Sequence, residues 1–219
     1  MAAEIDYTVR RSDRARRVRV VVEPTGEIEV VLPRRAPQRE AAAAVAELRP
    51  WIERRLAEAD AVQERLAARG DALPYMGELL RPRREPGRTR AHRRGDVLLF
   101  GDRTQVERWY RRMARAEVVP LLDEAVEALG VSYRSVRIAN QRTRWGSCST
   151  NGAMSFNWRL LLAPSEILEY VVWHEACHLV HMDHSRRFWS LLERWRPDYR
   201  AERRWLRDHG ATLVLGSVT

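Results

Sequence analysis

The apolar positions in the first third of the chain change from an alternating to a helical spacing. Apolar and polar residues alternate over residues 7–31 around a turn at Gly26, which predicts a β-hairpin or meander. Over residues 37–69 the apolar residues recur at helical intervals among alanines and charged residues, and this pattern stops at Gly70. The spacing predicts strands followed by one long amphipathic helix.

Short strands and a second long helix are predicted in the middle of the chain. Residues 75–84 and 97–100 have the composition of strands on either side of an arginine-rich connection. A second amphipathic helix is predicted over residues 104–129, and Pro120 is expected to kink or divide it. The middle of the chain therefore combines strands with a helix, without an internal repeat.

The last third of the chain predicts further strands and a buried helix. Strands are expected at 136–138 and within 145–156, where an Asn-Gly pair is typical of a hairpin turn. Residues 164–182 begin with a proline, contain no glycine and are apolar around most of the helical circumference, so a buried helix is predicted there. Ser185 is expected to cap another amphipathic helix.

These patterns predict an α+β fold with two parts. Residues 1–103 are predicted to form an N-terminal β-rich lobe with a long helix, and residues 104–219 a second domain that contains the histidine motif described below. A chain of 219 residues with 45% hydrophobic content can bury one large core or two small ones. The length is therefore compatible with this division.

The chain is strongly basic. Its formal net charge is +9 and its pI is about 10.6, which favours attraction to polyanions, and residues 81–94 concentrate arginines. However, every basic residue is arginine and alanine is abundant, a bias that coding composition alone can produce. The sequence contains no helix-turn-helix, RNP or zinc-finger pattern. A nucleic-acid partner is therefore a secondary hypothesis.

The sequence also indicates the compartment in which the protein is expected. It has no apolar run of the roughly 18 residues that a membrane span needs, and its first residues lack the apolar stretch of a secretory signal. Its two cysteines, Cys148 and Cys177, are expected to be reduced and packed rather than bridged. We expect a cytoplasmic protein that does not enter a membrane.

The most specific chemical pattern is His-Glu-Ala-Cys-His at residues 174–178, followed by His184. Residues four apart lie about one turn apart on a helix, so His174 and His178 project from the same face and can share one ion. Three imidazoles leave the fourth position of a zinc ion open for water or substrate, whereas structural zinc sites usually close all four. The pattern indicates a catalytic zinc site.

Glu175 is the candidate catalytic residue of this motif. It lies about 100° further round the helix than His174, so it borders the metal without competing for it. From there its carboxylate can take a proton from water, which is the general-base role in HExxH hydrolases. Unpaired imidazoles on a buried helix would be costly, and a bound metal removes that cost.

The third metal ligand has two candidates. His181 lies one helical turn beyond His178, but its direction drifts about 60° from that of His178. His184 follows the predicted end of the helix, where a turn can bring the chain back toward the metal, and the next helix can anchor this loop. His184 is the favoured ligand, and His181 is interpreted as a solvated histidine near a cleft.

Specific residues over 135–205 extend the pattern well beyond the metal motif. They are Arg144-Trp145-Gly146-Ser147-Cys148, Gly152, Phe156-Asn157-Trp158-Arg159-Leu160, Pro164, Tyr170-Val171-Val172, His174-Glu175, His178, His184-Ser185 and Phe188-Trp189. In these residues the chain resembles the YgjP-like metallohydrolases, relatives of the SprT and WLM groups of zincin-type metallopeptidases.

This resemblance implies a zinc-dependent hydrolase with a zincin-like (minigluzincin) catalytic core. It implies that His174, His178 and His184 bind zinc, since His184 occupies the position of the family's third histidine. Members of the family carry the labels metallopeptidase and nucleoside triphosphate (UTP) pyrophosphatase. The resemblance therefore implies hydrolysis but leaves the substrate open.

Three candidate substrate-binding residues follow from the strand that precedes the metal motif. In zincin-type enzymes an edge strand can receive an extended peptide by backbone pairing, and Arg144, Trp145 and Asn157 are candidates to line such a groove. The alternative is a structural role, with the tryptophan in the core and the asparagine bonded to the backbone. Both readings stay open at this point.

Three functions are compatible with the sequence. The first is a metallopeptidase that acts on peptides or unfolded proteins, with Glu175 as the base. The second is a nucleotide pyrophosphohydrolase, which the absence of a glycine-rich phosphate loop makes less favourable. The third is a nucleic-acid-associated protease or adaptor, and Glu175 with an open metal position argues against a non-enzymatic role. Peptide hydrolysis is the leading hypothesis.

Overall fold

The chain is divided into two units, one ending at Gly70 and the other beginning at Asp71, in a computed structural model that describes residues 5–23, 25–141 and 143–216. Within these ranges six helices accompany three small mixed sheets, so the predicted α+β class is confirmed. No helix in the described parts of the chain has both the length and the apolar character that crossing a membrane requires.

The first unit contains a three-stranded sheet and two helices. Its elements are β1 (Thr8–Ser12), β2 (Arg19–Val22), β3 (Ile28–Pro33), α1 (Arg39–Glu47) and α2 (Arg49–Arg69). Strands β2 and β3 form the predicted antiparallel hairpin, but β1 pairs with β3 in parallel, so the strand order is β1-β3-β2 rather than that of a meander. The most buried strand, β3, is therefore the central one and pairs with a strand on each side.

The predicted single helix over residues 37–69 is two helices that meet at Leu48. Pro50 lies in the first turn of α2, a position that proline tolerates because its missing N–H needs no partner there. Within one continuous helix the ring of Pro50 would collide with the carbonyl of Ala46. The proline therefore explains the break.

The second unit begins with a four-stranded sheet and the longest helix. These elements are β4 (Leu73–Tyr75), β5 (Glu78–Arg84), β6 (His92–Arg94), β7 (Val97–Phe100) and α3 (Arg103–Leu129), and the strand order is β4-β5-β7-β6. Leu73, Leu80 and Phe100 are buried in the same apolar core as Tyr110 of α3. Residues 71–103, placed with the N-terminal lobe by sequence, lie in the second unit because they share this core.

Helix α3 is continuous through Pro120. The side chain of Asp102 caps its start by accepting the backbone N–H groups of Thr104 and Gln105, and Gly130 ends it with a φ of +65°. Pro120 lies on the exposed face, so the carbonyl of Ala116, which loses its helical partner, faces water. The expected division of this helix does not occur.

A three-stranded sheet and three helices complete the second unit. The elements are β8 (Ser135–Ala139), β9 (Gly146–Cys148), β10 (Ala153–Asn157), α4 (Ser165–Cys177), α5 (Arg186–Trp195) and α6 (Tyr199–His209), with short 3-10 helices at Trp158–Leu162 and Gly210–Thr212. Strand β10 is central, parallel to β8 and antiparallel to β9. The predicted hairpin turn lies between β9 and β10, where Gly152 has a φ of +75°.

Helix α4 is held between α3 and the C-terminal helices. Most of its circumference is buried, as its apolar sequence predicts. The guanidinium of Arg196, between α5 and α6, donates to the carboxylate of Glu169 on α4 at 2.5 Å and also pairs with Glu202 on α6. One partly buried arginine therefore ties three helices together around the histidine motif.

Candidate metal centre

Three histidine side chains converge at the end of α4. His174 lies in the last turn of α4, His178 is its C-terminal cap residue, and His184 lies in the loop before α5. The potential ligand nitrogens of this histidine group all lie within 4.8 Å of one another, and Nε2 of His174 is 3.1 Å from Nε2 of His184. The fold therefore brings together the three histidines that the sequence singles out.

The chain can return toward His174 because α4 ends at Cys177. The helix stops at Cys177, whereas the sequence pattern predicts an end at about residue 182. After that point Leu179 and Val180 donate to carbonyls three residues back, which tightens the backbone into a turn. The shorter helix leaves the five residues between His178 and His184 to form the returning loop.

A backbone hydrogen bond fixes the ring of His178. Its Nδ1 lies 3.0 Å from the carbonyl oxygen of His181, and a carbonyl can only accept, so Nδ1 carries the hydrogen. The lone pair of His178 is then on Nε2, as a metal ligand requires. The contribution of His181 is this carbonyl, because its ring is not part of the histidine group.

Burial keeps the inner histidines neutral. Loss of solvent, with smaller effects of the neighbouring histidines and Arg203, lowers the pKa of His174 to about 3, and burial also lowers the pKa of His178. Neutral imidazoles have lone pairs to donate. In tetrahedral zinc with bonds of about 2.0 to 2.1 Å, ligand nitrogens lie roughly 3.3 Å apart, so this donor set and spacing fit zinc.

Two aromatic rings of α5 pack against the histidine group, and a ring of α6 packs behind them. Phe188 stacks on His178 with ring centroids 4.5 Å apart, and Trp189 stacks on His184 at 5.4 Å. Trp189 in turn stacks on Tyr199 of α6 at 5.3 Å. The loop that contains His184 is therefore anchored by α5.

Ser185 occupies the predicted cap position of α5, but its side chain makes no capping hydrogen bond.

Glu175 is buried beside the histidine group. The residue is 6% exposed. Burial raises the pKa of its carboxyl group to about 7, although the positive charge of Arg144 and a hydrogen bond from the backbone N–H of Cys148 both lower this pKa. A carboxyl group that titrates near neutral pH can both accept and release a proton under ordinary conditions. The site therefore contains a group suited to acid–base chemistry.

Gly146 in β9 makes room for this carboxylate. A β-carbon on Gly146 would lie 2.5 Å from Oε1 and 2.6 Å from Cγ of Glu175, far inside van der Waals contact. Strand β9 thus positions Glu175 in two ways: Gly146 leaves space for the carboxylate, and the backbone N–H of Cys148 donates a hydrogen bond to it. Sequence reasoning assigned no role to Gly146. The sequence feature that could have indicated this role is a glycine within a predicted strand, which often marks a close approach of another group.

The three candidate substrate residues occupy different environments. Arg144 is exposed and its charge acts on Glu175. Trp145 is partly buried and packs closely against Gly210. Asn157 is 3% exposed, and its Nδ2 donates to the carbonyl oxygens of Gln141 at 2.7 Å and Arg144 at 3.3 Å. Asn157 therefore holds the loop that leads into β9. Of the three residues, only Arg144 is exposed to solvent.

Four of the seven arginines in the segment 81–94 form ion pairs with three nearby acids. The ion pairs are Arg81 with Asp96, Arg83 with Glu85, Arg88 with Glu85, and Arg93 with Glu78. Paired guanidinium groups attract phosphates less strongly than free ones. This arrangement gives no support to a nucleic-acid surface in that segment.

Both cysteines are free thiols next to the motif. Burial raises the pKa of Cys148 to about 11, with a further contribution from the charge of Glu175, and raises that of Cys177 to about 12. Both therefore stay protonated at neutral pH, and neither is part of the histidine group. Their role in the described structure is packing, in agreement with the sequence.

Comparison with known proteins identifies the family of the chain. No curated protein matches it significantly. The family model described as YgjP-like, metallopeptidase domain, matches residues 16–209, a span that contains the histidine group, Glu175 and Gly146. Because the match covers most of the 219 residues, the chain belongs to the family of YgjP-like metallopeptidase domains.

Proposed function

We propose that the protein is a zinc-dependent metallopeptidase in which Glu175 is the general base. The observation that carries this proposal is a buried carboxylate with a pKa of about 7 next to three converging histidines. Membership of a metallopeptidase family supports hydrolysis of peptide bonds. The proposed substrates are peptides or unfolded proteins.

The residues of the chain have distinct tasks in this proposal. Zinc held by His174, His178 and His184 would supply Lewis acidity and a coordination position for water. The ionised Glu175 takes a proton from the attacking water as its oxygen adds to the scissile carbonyl carbon. The protonated Glu175 then gives this proton to the leaving amine nitrogen, so the base is restored when the peptide C–N bond breaks.

Strand β9 and the residues before it support Glu175. The N–H of Cys148 and the charge of Arg144 favour the ionised carboxylate, and so they counteract part of the effect of burial. Arg144, with its exposed guanidinium, is the proposed contact for the substrate backbone. Trp145 and Asn157 are proposed to shape the groove by holding the loop around Arg144.

Peptide hydrolysis suits this site better than cleavage of a nucleoside triphosphate. A tetrahedral intermediate at a carbonyl carbon develops one oxyanion, which a single metal position can neutralise. A triphosphate brings several negative oxygens, which call for further cations or clustered arginines. UTP pyrophosphohydrolysis is therefore retained as the alternative that the experiment must separate.

A substrate panel tests the proposal. The zinc-loaded full chain is incubated with unfolded proteins, a peptide mixture and UTP, with and without magnesium. We expect Glu175-dependent cleavage of peptides, and Glu175→Gln should lower the rate by about 10² to 10⁴ while bound zinc stays unchanged. Glu166→Gln, an exposed carboxylate in the first turn of α4, is the matched control. Release of pyrophosphate from UTP without peptide cleavage would contradict the proposal.

A further inference from the structure

Arg203 is held against an aromatic ring that contacts the histidine group. Its guanidinium carbon lies 5.0 Å from the ring centroid of Trp189, within the range of a cation–π contact. The ring of Trp189 lies 5.4 Å from that of His184 and 5.9 Å from that of His174. One aromatic side chain therefore separates the cation from the proposed metal ligands.

Arg203 lacks the carboxylate partner that the two preceding arginines, Arg196 and Arg200, have in the described structure. Arg196 pairs with two glutamates, and Arg200 donates to Glu193 at 2.9 Å. In the ranges that the structure describes, no carboxylate forms an ion pair with Arg203, and its side chain is exposed. The guanidinium is thus free to bind an anion from solution.

The position of Arg203 on α6 directs this charge toward α4. Arg203 lies one turn after the buried Tyr199, at the edge of the face that packs on the rest of the unit. Its charge reaches Tyr170, one turn before His174 on α4, where it opposes the increase in pKa that burial causes. The charge of Arg203 also acts on His174 itself, so the cation influences the part of α4 that ends in the histidine group.

We propose that Arg203 binds a carboxylate of the substrate and makes the enzyme prefer peptides with a negative charge close to the cleaved bond. A guanidinium binds a carboxylate through two parallel hydrogen bonds, and its contact with Trp189 fixes the plane in which they form. This inference rests on the proposed function, because it names the class of peptide that the site would select. The carboxylate can belong to an acidic side chain or to the C-terminus.

Three peptide hydroxamates of equal length separate these sources. One contains Gln and a C-terminal amide, the second replaces Gln with Glu, and the third has Gln and a free C-terminal carboxylate. Their affinities for the zinc-loaded full chain are measured by calorimetry. We expect at least one charged probe to bind about ten times more tightly than the neutral one. The tighter of the two charged probes identifies the source of the carboxylate.

Variants of α6 connect this preference to Arg203. Arg203→Gln should abolish it and leave binding of the neutral probe unchanged, and Arg203→Lys should restore part of it. Arg204→Gln is the matched control, since Arg204 is an exposed arginine about 100° further round the same helix. Equal affinity of all three probes, no binding of any of them, or an equal effect of Arg204→Gln would overturn the inference. Because binding needs no turnover, this result is independent of the substrate panel that tests peptide hydrolysis.

Discussion

The carboxylate of Glu175 occupies the space in which any residue other than glycine at position 146 would place its β-carbon. The two residues lie in different elements, α4 and β9, and are 29 positions apart in sequence. A β-carbon at position 146 would meet Oε1 of Glu175 at 2.5 Å, a distance that real β-carbons do not reach. The position of the proposed base therefore depends on a missing side chain in a neighbouring strand.

The first prediction is that Gly146→Ala impairs hydrolysis while the metal stays bound. The added methyl group must displace Glu175, so we expect the rate to fall by about 100-fold, the lower part of the range for loss of a general base. Zinc content, measured by elemental analysis, should be unchanged because the histidine group is not touched. Ser147→Ala, a change of similar size in the same strand, is the control. Full activity of Gly146→Ala would show that Glu175 has room to move.

The second prediction concerns the pH dependence of stability without metal. Burial raises the pKa of Glu175 from its usual 4.5 to about 7, so the folded state binds this proton more tightly than the unfolded state. This contribution is present at low pH and is lost as the pH rises from about 4.5 to about 7. At pH 8 metal-free Glu175→Gln should therefore be more stable than the parent by on the order of 3 kcal/mol, and near pH 4 the two should be similar.

Urea denaturation of the metal-free proteins at these two pH values measures the difference. Glu166→Gln is again the control, because this carboxylate is exposed and its replacement should change stability equally little at both values. A stability difference for Glu175→Gln that is the same at pH 4 and pH 8 would show that ionisation of Glu175 is not its cause.

The third prediction separates two histidines of the same loop. His184→Ala removes one of three proposed ligands and should lower zinc affinity by more than about 100-fold. His181→Ala should leave zinc affinity nearly unchanged, since the carbonyl that accepts from His178 belongs to the backbone and remains. Competition with a chelator of known affinity measures both variants. Equal losses would mean that the ring of His181 also binds the metal.

The fourth prediction is that Asn157→Asp destabilises the second unit. The amide Nδ2 of Asn157 donates to two backbone carbonyls of the loop before β9, and a carboxylate has no hydrogen to donate. Two bonds are lost and a charge is buried, so we expect a loss of about 3 kcal/mol in the free energy of unfolding. Asn140→Asp, an exposed asparagine nearby, is the control in chemical denaturation. Similar small losses in both variants would refute this role of Asn157.

The histidine group was predictable because its geometry is mostly local. A four-residue step on a helix fixes the separation of His174 and His178, and the aromatic residues of α5 indicate how the loop with His184 is anchored. The end of α4 was not predictable in the same way. The helix end depends on the backbone hydrogen bonds of a tight turn and on the bond that Nδ1 of His178 donates to the carbonyl oxygen of His181. The spacing of apolar residues does not reveal either of these.

Contacts between distant segments account for the other differences. The parallel pairing of β1 with β3 and the close approach of Gly146 to Glu175 join segments whose proximity no local pattern encodes. The position of Arg203 against Trp189 likewise depends on how α6 packs, and in sequence it is one arginine among many. By contrast, the break at Leu48 could have been read from Pro50, which is incompatible with the interior of a single helix.

The early end of α4 also has an electrostatic consequence for a cation. The aligned peptide dipoles of a helix give its C-terminal end a partial negative charge of roughly half an electron. His178 is the cap residue at that end, so the histidine group lies where the helix itself favours positive charge. The carbonyl groups of the last turn of α4 therefore add to the attraction for a cation that the three imidazoles provide.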